Sequence, residues 1–185
     1  MFGYASLSSL GMKMNQKPIV LVGLMGAGKT SVGRALARRL KIPFVDLDQE
    51  IEAISGCSVI DIFSIYGEAE FRRIEEQVFR RVLNSAPRIK VISTGEGAFI
   101  QPVIRELALK NSLTIWLKAG LQLLEKRTSF RLTRPQLLVA EPAKILSKFI
   151  DERYPIYALA NITIETADEP QAKTMRKVLS AIAGK

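Results

Sequence analysis

GLMGAGKT, Gly23 to Thr30, is the stretch on which the reading of this chain turns. It matches the pattern G-x-x-x-x-G-K-[ST]. Ahead of it, PIVLV (18–22) reads as a short buried strand. Behind it, KTSVGRALARRL (29–40) carries Val32, Leu36 and Leu40 near helical spacing. Glycines in a loop between a strand and a helix let backbone N–H groups wrap phosphate oxygens, and the helix N-terminus adds a favourable dipole. In that context Gly26, Ala27, Gly28, Lys29, Thr30 and Ser31 are expected to hold a nucleotide. Lys29 would reach the terminal phosphates and Thr30 would ligate Mg²⁺. A glycine-rich turn with a chance lysine is the alternative, and it does not account for the flanking strand and helix.

The elements outward from the loop repeat its alternation. Strands are expected over 42–48, 89–94, 113–119 and 161–166. Helices are expected over 49–55, 68–83, from Pro102 onward, over 121–128, 142–159 and 170–183, with Pro155 bending or ending its helix. Residues 58–65 form a further short apolar-patterned segment, stopped at Gly67. Strands alternating with helices indicate an α/β fold with a parallel sheet. Residues 1–17 read as a loose N-terminal extension, and 18–185 as one domain.

Composition narrows the classes. The chain has 185 residues, 48% of them apolar, and a net charge of +9. Its longest apolar run, Pro18 to Gly28, is too short to span a bilayer, so no membrane partner is expected. One cysteine, Cys57, excludes an internal disulfide and suits a reducing cytoplasm. There is no histidine, so carboxylates, lysine or water must move any proton. A guanine-specific N-K-x-D signature is missing, and the chain is short for a motor or helicase. A small-metabolite or nucleotide kinase fits best.

Several residues are candidates for that chemistry. Asp46 and Asp48 end the second strand, and two-residue spacing puts them on one side of an extended segment. One can hold Mg²⁺ through water while the other orients or deprotonates an acceptor hydroxyl, or the two can form a turn or cap before the next helix. Arg127, Arg131 and Arg134 fall in or beside an exposed loop at 128–140. There they either close on a transferring phosphate or sit in solvent, and for Arg131 the solvated reading is preferred. VISTGEGAF (91–99) places Glu96 between Gly95 and Gly97, where the glycines suggest a close approach to the backbone.

Taken in order, GLMGAGKTSVGRALA, DLDQEIE, GEAEFRRIEE, STGEGA, R-x6-RP ending at Pro135, and ERYPIY resemble the shikimate kinases over residues 18 to 180. The resemblance implies a P-loop, nucleoside-monophosphate-kinase-like fold. That fold is a three-layer αβα sandwich with a five-stranded parallel sheet and a mobile lid at about 127–140. The resemblance implies ATP and Mg²⁺ as cofactors, with the γ-phosphate passing to the 3-hydroxyl of shikimate on the route to chorismate. Asp46 and Thr30 would serve the metal. Lys29, Asp48 and Arg134 would be catalytic, with Asp48 as base. Asp48, Arg72, Gly95, Glu96, Gly97 and Arg153 would bind shikimate, the two arginines gripping its carboxylate with Glu75 steadying Arg72. Phe63 and Phe71 would line that pocket or simply pack in the core. Arg127 and Pro170 would sandwich adenine. The implied protein is a cytoplasmic monomer with a small-molecule substrate and no nucleic-acid partner, since aromatic residues are not interleaved with the basic ones.

The chain departs from the family at Glu96, where relatives carry a third glycine, and at Gln136. A positive φ at Glu96 would cost roughly 1–2 kcal/mol. Its carboxylate is expected to point away from the pocket, toward a nearby arginine.

Overall fold

Ile19, Val20, Leu21 and Val22 form strand β1 (Ile19–Val22), and none of the four is exposed. A strand flanked on both sides within a covered parallel sheet has no solvent face, so its sequence runs apolar without alternation. The computed structural model describes residues 17–128 and 142–184. Arg131, Arg134, Gln136, most of the expected lid and residues 1–16 lie outside the described residues.

Four further strands, β2 (Phe44–Asp46), β3 (Val91–Ser93), β4 (Leu113–Ala119) and β5 (Ile162–Thr166), complete the sheet, and every pairing in it is parallel. Their spatial order is β2-β3-β1-β4-β5. Strand β5 lies at an edge and alternates, with Ile162, Ile164 and Thr166 buried and Thr163 and Glu165 exposed. The helices are α1 (Lys29–Leu40), α2 (Leu47–Ser55), α3 (Val59–Asn84), α4 (Pro102–Asn111), α5 (Leu121–Thr128), α6 (Pro142–Tyr157) and α7 (Gln171–Ala183). The expected α/β architecture with a five-stranded parallel sheet is therefore present.

Three local expectations change. Strand β2 stops at Asp46, which serves as the N-cap residue of α2, so Asp48 sits in a first helical turn. Burial of Leu47 turns the chain there, and the helix dipole favours a carboxylate at that place. The segment at 58–65 and the helix at 68–83 belong to one α3, kinked at Gly67, whose φ of 81° and ψ of 171° are not helical. Pro155 lies inside α6, which ends two residues later at Tyr157.

The chain passes from β1 out to β2, returns to β3 between them, then crosses to β4 on the far side of β1. In open parallel sheets a crevice opens at the carboxyl ends of the strands where the order reverses. The register sets Asp46 beside Ser93, and Ser93 beside Leu21, two residues before Gly23.

Lys90 secures β3 to the helix before it. The residue is almost wholly buried, and burial pushes its ammonium below the ordinary lysine range. Its Nζ donates to Val82 O at 2.8 Å, Ser85 O at 2.7 Å and Ser85 Oγ at 2.7 Å, closing carbonyls at the C-terminus of α3. Lys90→Met keeps the length and removes all three donors. We expect a loss of about 2 kcal/mol of stability, read as a lower midpoint in chemical denaturation.

Candidate active site

Two clefts open along the carboxyl edge of the sheet. The first, with a volume of about 590 Å³, is built on the loop between β1 and α1. Gly23, Gly26 and Gly28 take φ values of 138°, 77° and 97°, conformations that side chains rarely adopt. A Cβ on Gly23 would also lie 2.7 Å from Leu117 O. Every residue from Gly26 to Ser31 lines this cleft. The Lys29 ammonium donates to Gly23 O at 2.7 Å and Leu24 O at 2.9 Å. Thr30 Oγ1 donates to Asp46 Oδ2 at 2.8 Å and lies 3.3 Å from Ser93 Oγ. These are hard oxygen donors. Arg127 closes the far side, donating to Gly26 O at 3.2 Å and Ala167 O at 3.0 Å. Pro170 is the N-cap residue of α7 and is not among the lining residues, although Glu169 and Gln171 on either side of it are. The Gln171 amide donates to Ser31 O. Neither Gln171 nor Ser93 was a sequence candidate. Both become legible only once the sheet order brings them to the loop.

The second cleft, of about 460 Å³, lies between α2, the first half of α3 and the Gly95–Gly97 loop. Arg72 is its lining cation. Its Nη1 donates to Oε2 of the buried Glu75 at 2.7 Å, and its Nε and Nη2 reach Glu68 Oε1 at 3.2 and 3.1 Å. Burial alone would lower the Arg72 pKa, and the Glu75 and Glu68 carboxylates together more than reverse this. Gln101, another residue that sequence reasoning missed, donates its amide to the same Glu75 oxygen at 2.6 Å. Phe63 and Phe71 line this cleft with ring centroids 4.3 Å apart. They also pack with the core, so both readings of them hold.

The glycines of the loop are explained by side chains. A Cβ on Gly97 would lie 2.5 Å from both Arg72 terminal nitrogens, and one on Gly95 would lie 2.9 Å from Asp48 Oδ1 and Glu75 Oε1. Neither glycine has a positive φ, and Lys41 is the only non-glycine residue with one among the described residues. Glu96 is thus free of the backbone strain that a positive φ would bring. It lines the cleft, and its buried carboxylate reaches Arg153, with Oε1 3.6 Å from Nη1. The arginine it faces is one of the two expected substrate-gripping residues. The Tyr157 hydroxyl donates to the Glu96 carbonyl.

Asp46 and Asp48 do not share a side. Asp46 faces Thr30 and lines only the first cleft. Asp48 stands over Gly95 and lines both. The helical turn starting at Leu47 is what separates them.

A nucleotide loop with a threonine–aspartate pair, joined through one carboxylate to a separate cleft that holds an arginine, defines a P-loop phosphotransferase acting on a small molecule. The family model for shikimate kinase matches residues 25–183. The chain is 44% identical over 177 residues to a shikimate kinase of Mesorhizobium japonicum, covering 96% of this chain and 86% of the relative. It is 46% identical over 166 residues to one from Paramagnetospirillum magneticum, covering 90% and 84%. A solved shikimate kinase from Acinetobacter baumannii, in complex with shikimate, superposes with a TM-score of 0.86 at 36% identity, over 91% of this chain and 93% of that one. The chain belongs to the shikimate kinase family, and it is an ATP-dependent kinase.

Because Gly97 has an ordinary helical backbone (φ −85°, ψ −13°), alanine is conformationally allowed there. Its methyl group collides with the Arg72 guanidinium instead. Gly97→Ala is expected to raise the KM for the phosphate acceptor about tenfold or more while ATP affinity holds, since a displaced arginine loses a charge-assisted contact. Steady-state kinetics with each substrate varied in turn will check this.

Proposed function

We propose that this chain transfers the γ-phosphate of ATP to the 3-hydroxyl of shikimate, giving shikimate 3-phosphate and ADP. One observation carries the reading: Asp48 lines both the nucleotide cleft and the second cleft, so an acceptor hydroxyl beside it faces the terminal phosphate. Family membership supplies the substrate class, and the related Acinetobacter baumannii protein was solved with shikimate.

Lys29 and the backbone amides from Gly26 to Ser31 bind and orient the phosphates. Thr30 and Asp46 would hold Mg²⁺, and their oxygens, with Ser93 close by, suit that ion. When bound, the ion supplies charge neutralisation on the phosphate oxygens. Arg72 and Arg153 attract the shikimate carboxylate, Arg72 being aimed by Glu75 and Gln101. Asp48 accepts the hydroxyl proton as the oxygen bonds to phosphorus, and the bond to the ADP oxygen breaks with its electron pair leaving on ADP. Arg134, outside the described residues, would stabilise the transferring group. Arg127 and Pro170 would flank adenine. We place the reaction in the cytoplasm, with the protein acting as a monomer. No described helix is long and apolar enough to cross a membrane.

Asp48→Asn keeps the shape and removes the base. Shikimate-dependent ADP release should fall by roughly 10²–10⁴-fold, with ATP binding by calorimetry retained. Turnover close to that of the unsubstituted enzyme would remove Asp48 from the mechanism. Turnover of a nucleoside monophosphate or gluconate in place of shikimate would overturn the substrate assignment.

A further inference from the structure

We infer that Glu96 sets the charge preference of the second cleft by holding Arg153 in an internal ion pair that competes with an anionic substrate group. The inference rests on the reading of that cleft as the shikimate site.

The geometry has three parts. The Glu96 carboxylate is buried, at 4% exposed, and lies 3.6 Å from Arg153 Nη1. That distance attracts charge to charge but forms no hydrogen bond. Arg153 Nη1 is itself buried and has no hydrogen-bond partner among the described residues. The guanidinium is seated on the Phe149 ring, its central carbon 3.6 Å from the ring centroid, so the cation is fixed in place. Arg153 does not itself line the cleft; it is held behind Glu96, which does, with Nη1 still unused, and the Glu96 carboxylate cancels much of its field.

The surrounding charges make that cancellation matter. Among the described residues the cleft is lined by four carboxylates, Asp48, Glu52, Glu75 and Glu96, and by one guanidinium, Arg72. Arg72 is already paired with Glu75 and Glu68. Among the described residues, an anion entering this cleft meets one lining cation, Arg72, and a second, Arg153, only behind Glu96, and each already stands beside a carboxylate. The remaining carboxylates are accounted for by other tasks. Glu75 aims Arg72, Asp48 faces the phosphoryl group, and Glu52 accepts from the Val59 amide at 2.9 Å. Among these four carboxylates Glu96 is the one that faces Arg153, and its backbone needs no charge, being tied by Tyr157 to its carbonyl. Like charge brought beside like charge in a half-buried site weakens binding, whereas a substrate whose carboxyl is esterified feels no such opposition. In this cleft the acid and its neutral ester are discriminated weakly, and the residue responsible is Glu96.

The test is kinetic. Shikimate and methyl shikimate are compared as phosphate acceptors for the unsubstituted enzyme and for Glu96→Gln, with thermal melting recorded for both. In Glu96→Gln the KM for shikimate should fall about tenfold, more than kcat changes, while the KM for the ester shifts less than about twofold. An unmoved or raised shikimate KM, or an equal fall for acid and ester, overturns the inference. It would then show Glu96 as a support for Arg153 or a plain structural residue. Should Glu96→Gln fold poorly, the unsubstituted enzyme still decides. A penalty for esterification of about tenfold or less in kcat/KM supports competition, and a larger one, as an uncontested arginine–carboxylate pair gives, overturns it. The functional reading fails separately, if the unsubstituted enzyme releases no ADP with shikimate.

Discussion

All five strands run in one direction, and the site follows from that constraint. A parallel sheet collects its strand-to-helix turns at one edge. The phosphate loop leaves β1 there, Asp46 ends β2 there, and Ser93 ends β3 there. Residues far apart in the chain meet because the register lines up Leu21, Ser93 and Asp46. Hydrogen bonding within the sheet thus sets the distance between Thr30 and its aspartate. The surrounding helices then need only deliver side chains to a fixed edge, as α2 delivers Asp48 and α5 delivers Arg127.

The second cleft is held by a different kind of contact. A guanidinium lies against a glycine backbone, and a buried carboxylate grips it from behind. Breaking a buried pair of this kind by removing one partner typically costs about 3–5 kcal/mol, because the remaining charge is stranded. The pair therefore fixes Arg72 firmly without itself adding much stability. Gln101 shares the load on Glu75 from the start of α4, so three separate elements position one cation. Aromatic residues of α6 fasten that helix to the sheet. Trp116 and Tyr154 meet edge to face at 4.9 Å, and the Tyr154 hydroxyl donates to the Ala119 carbonyl, with burial raising its pKa to about 12.

Much of this was legible in the residues, and the exceptions share a cause. Local pattern suffices where a segment's own periodicity and flanking residues decide its state, as for β1, α1 and the phosphate loop. It fails where a long-range contact decides. Asp48 looked like a strand residue because VDLD alternates, but burial of Leu47 begins a helix one residue earlier. Gly95 and Gly97 looked like openings for a ligand. Their nearest neighbours turn out to be side chains of α2 and α3, which no local spacing reveals. Gln101 and Gln171 carry no motif at all, and their roles arise only from the packing of α4 and α7. The expectation of an arginine partner for Glu96 was met, but Glu96 lines the cleft instead of turning away from it, and the partner's identity as Arg153 depends on how α6 lies against the loop.

Glu96 is gripped twice by one turn of α6: Arg153 takes its side chain and Tyr157, four residues on, takes its carbonyl. The main chain of the loop is thereby anchored independently of what its middle residue carries. Such separation of backbone support from side-chain chemistry is what makes a position adjustable in evolution or by engineering. At residue 96 the hold on the loop's main chain, through Tyr157, is separate from the charge that faces Arg153.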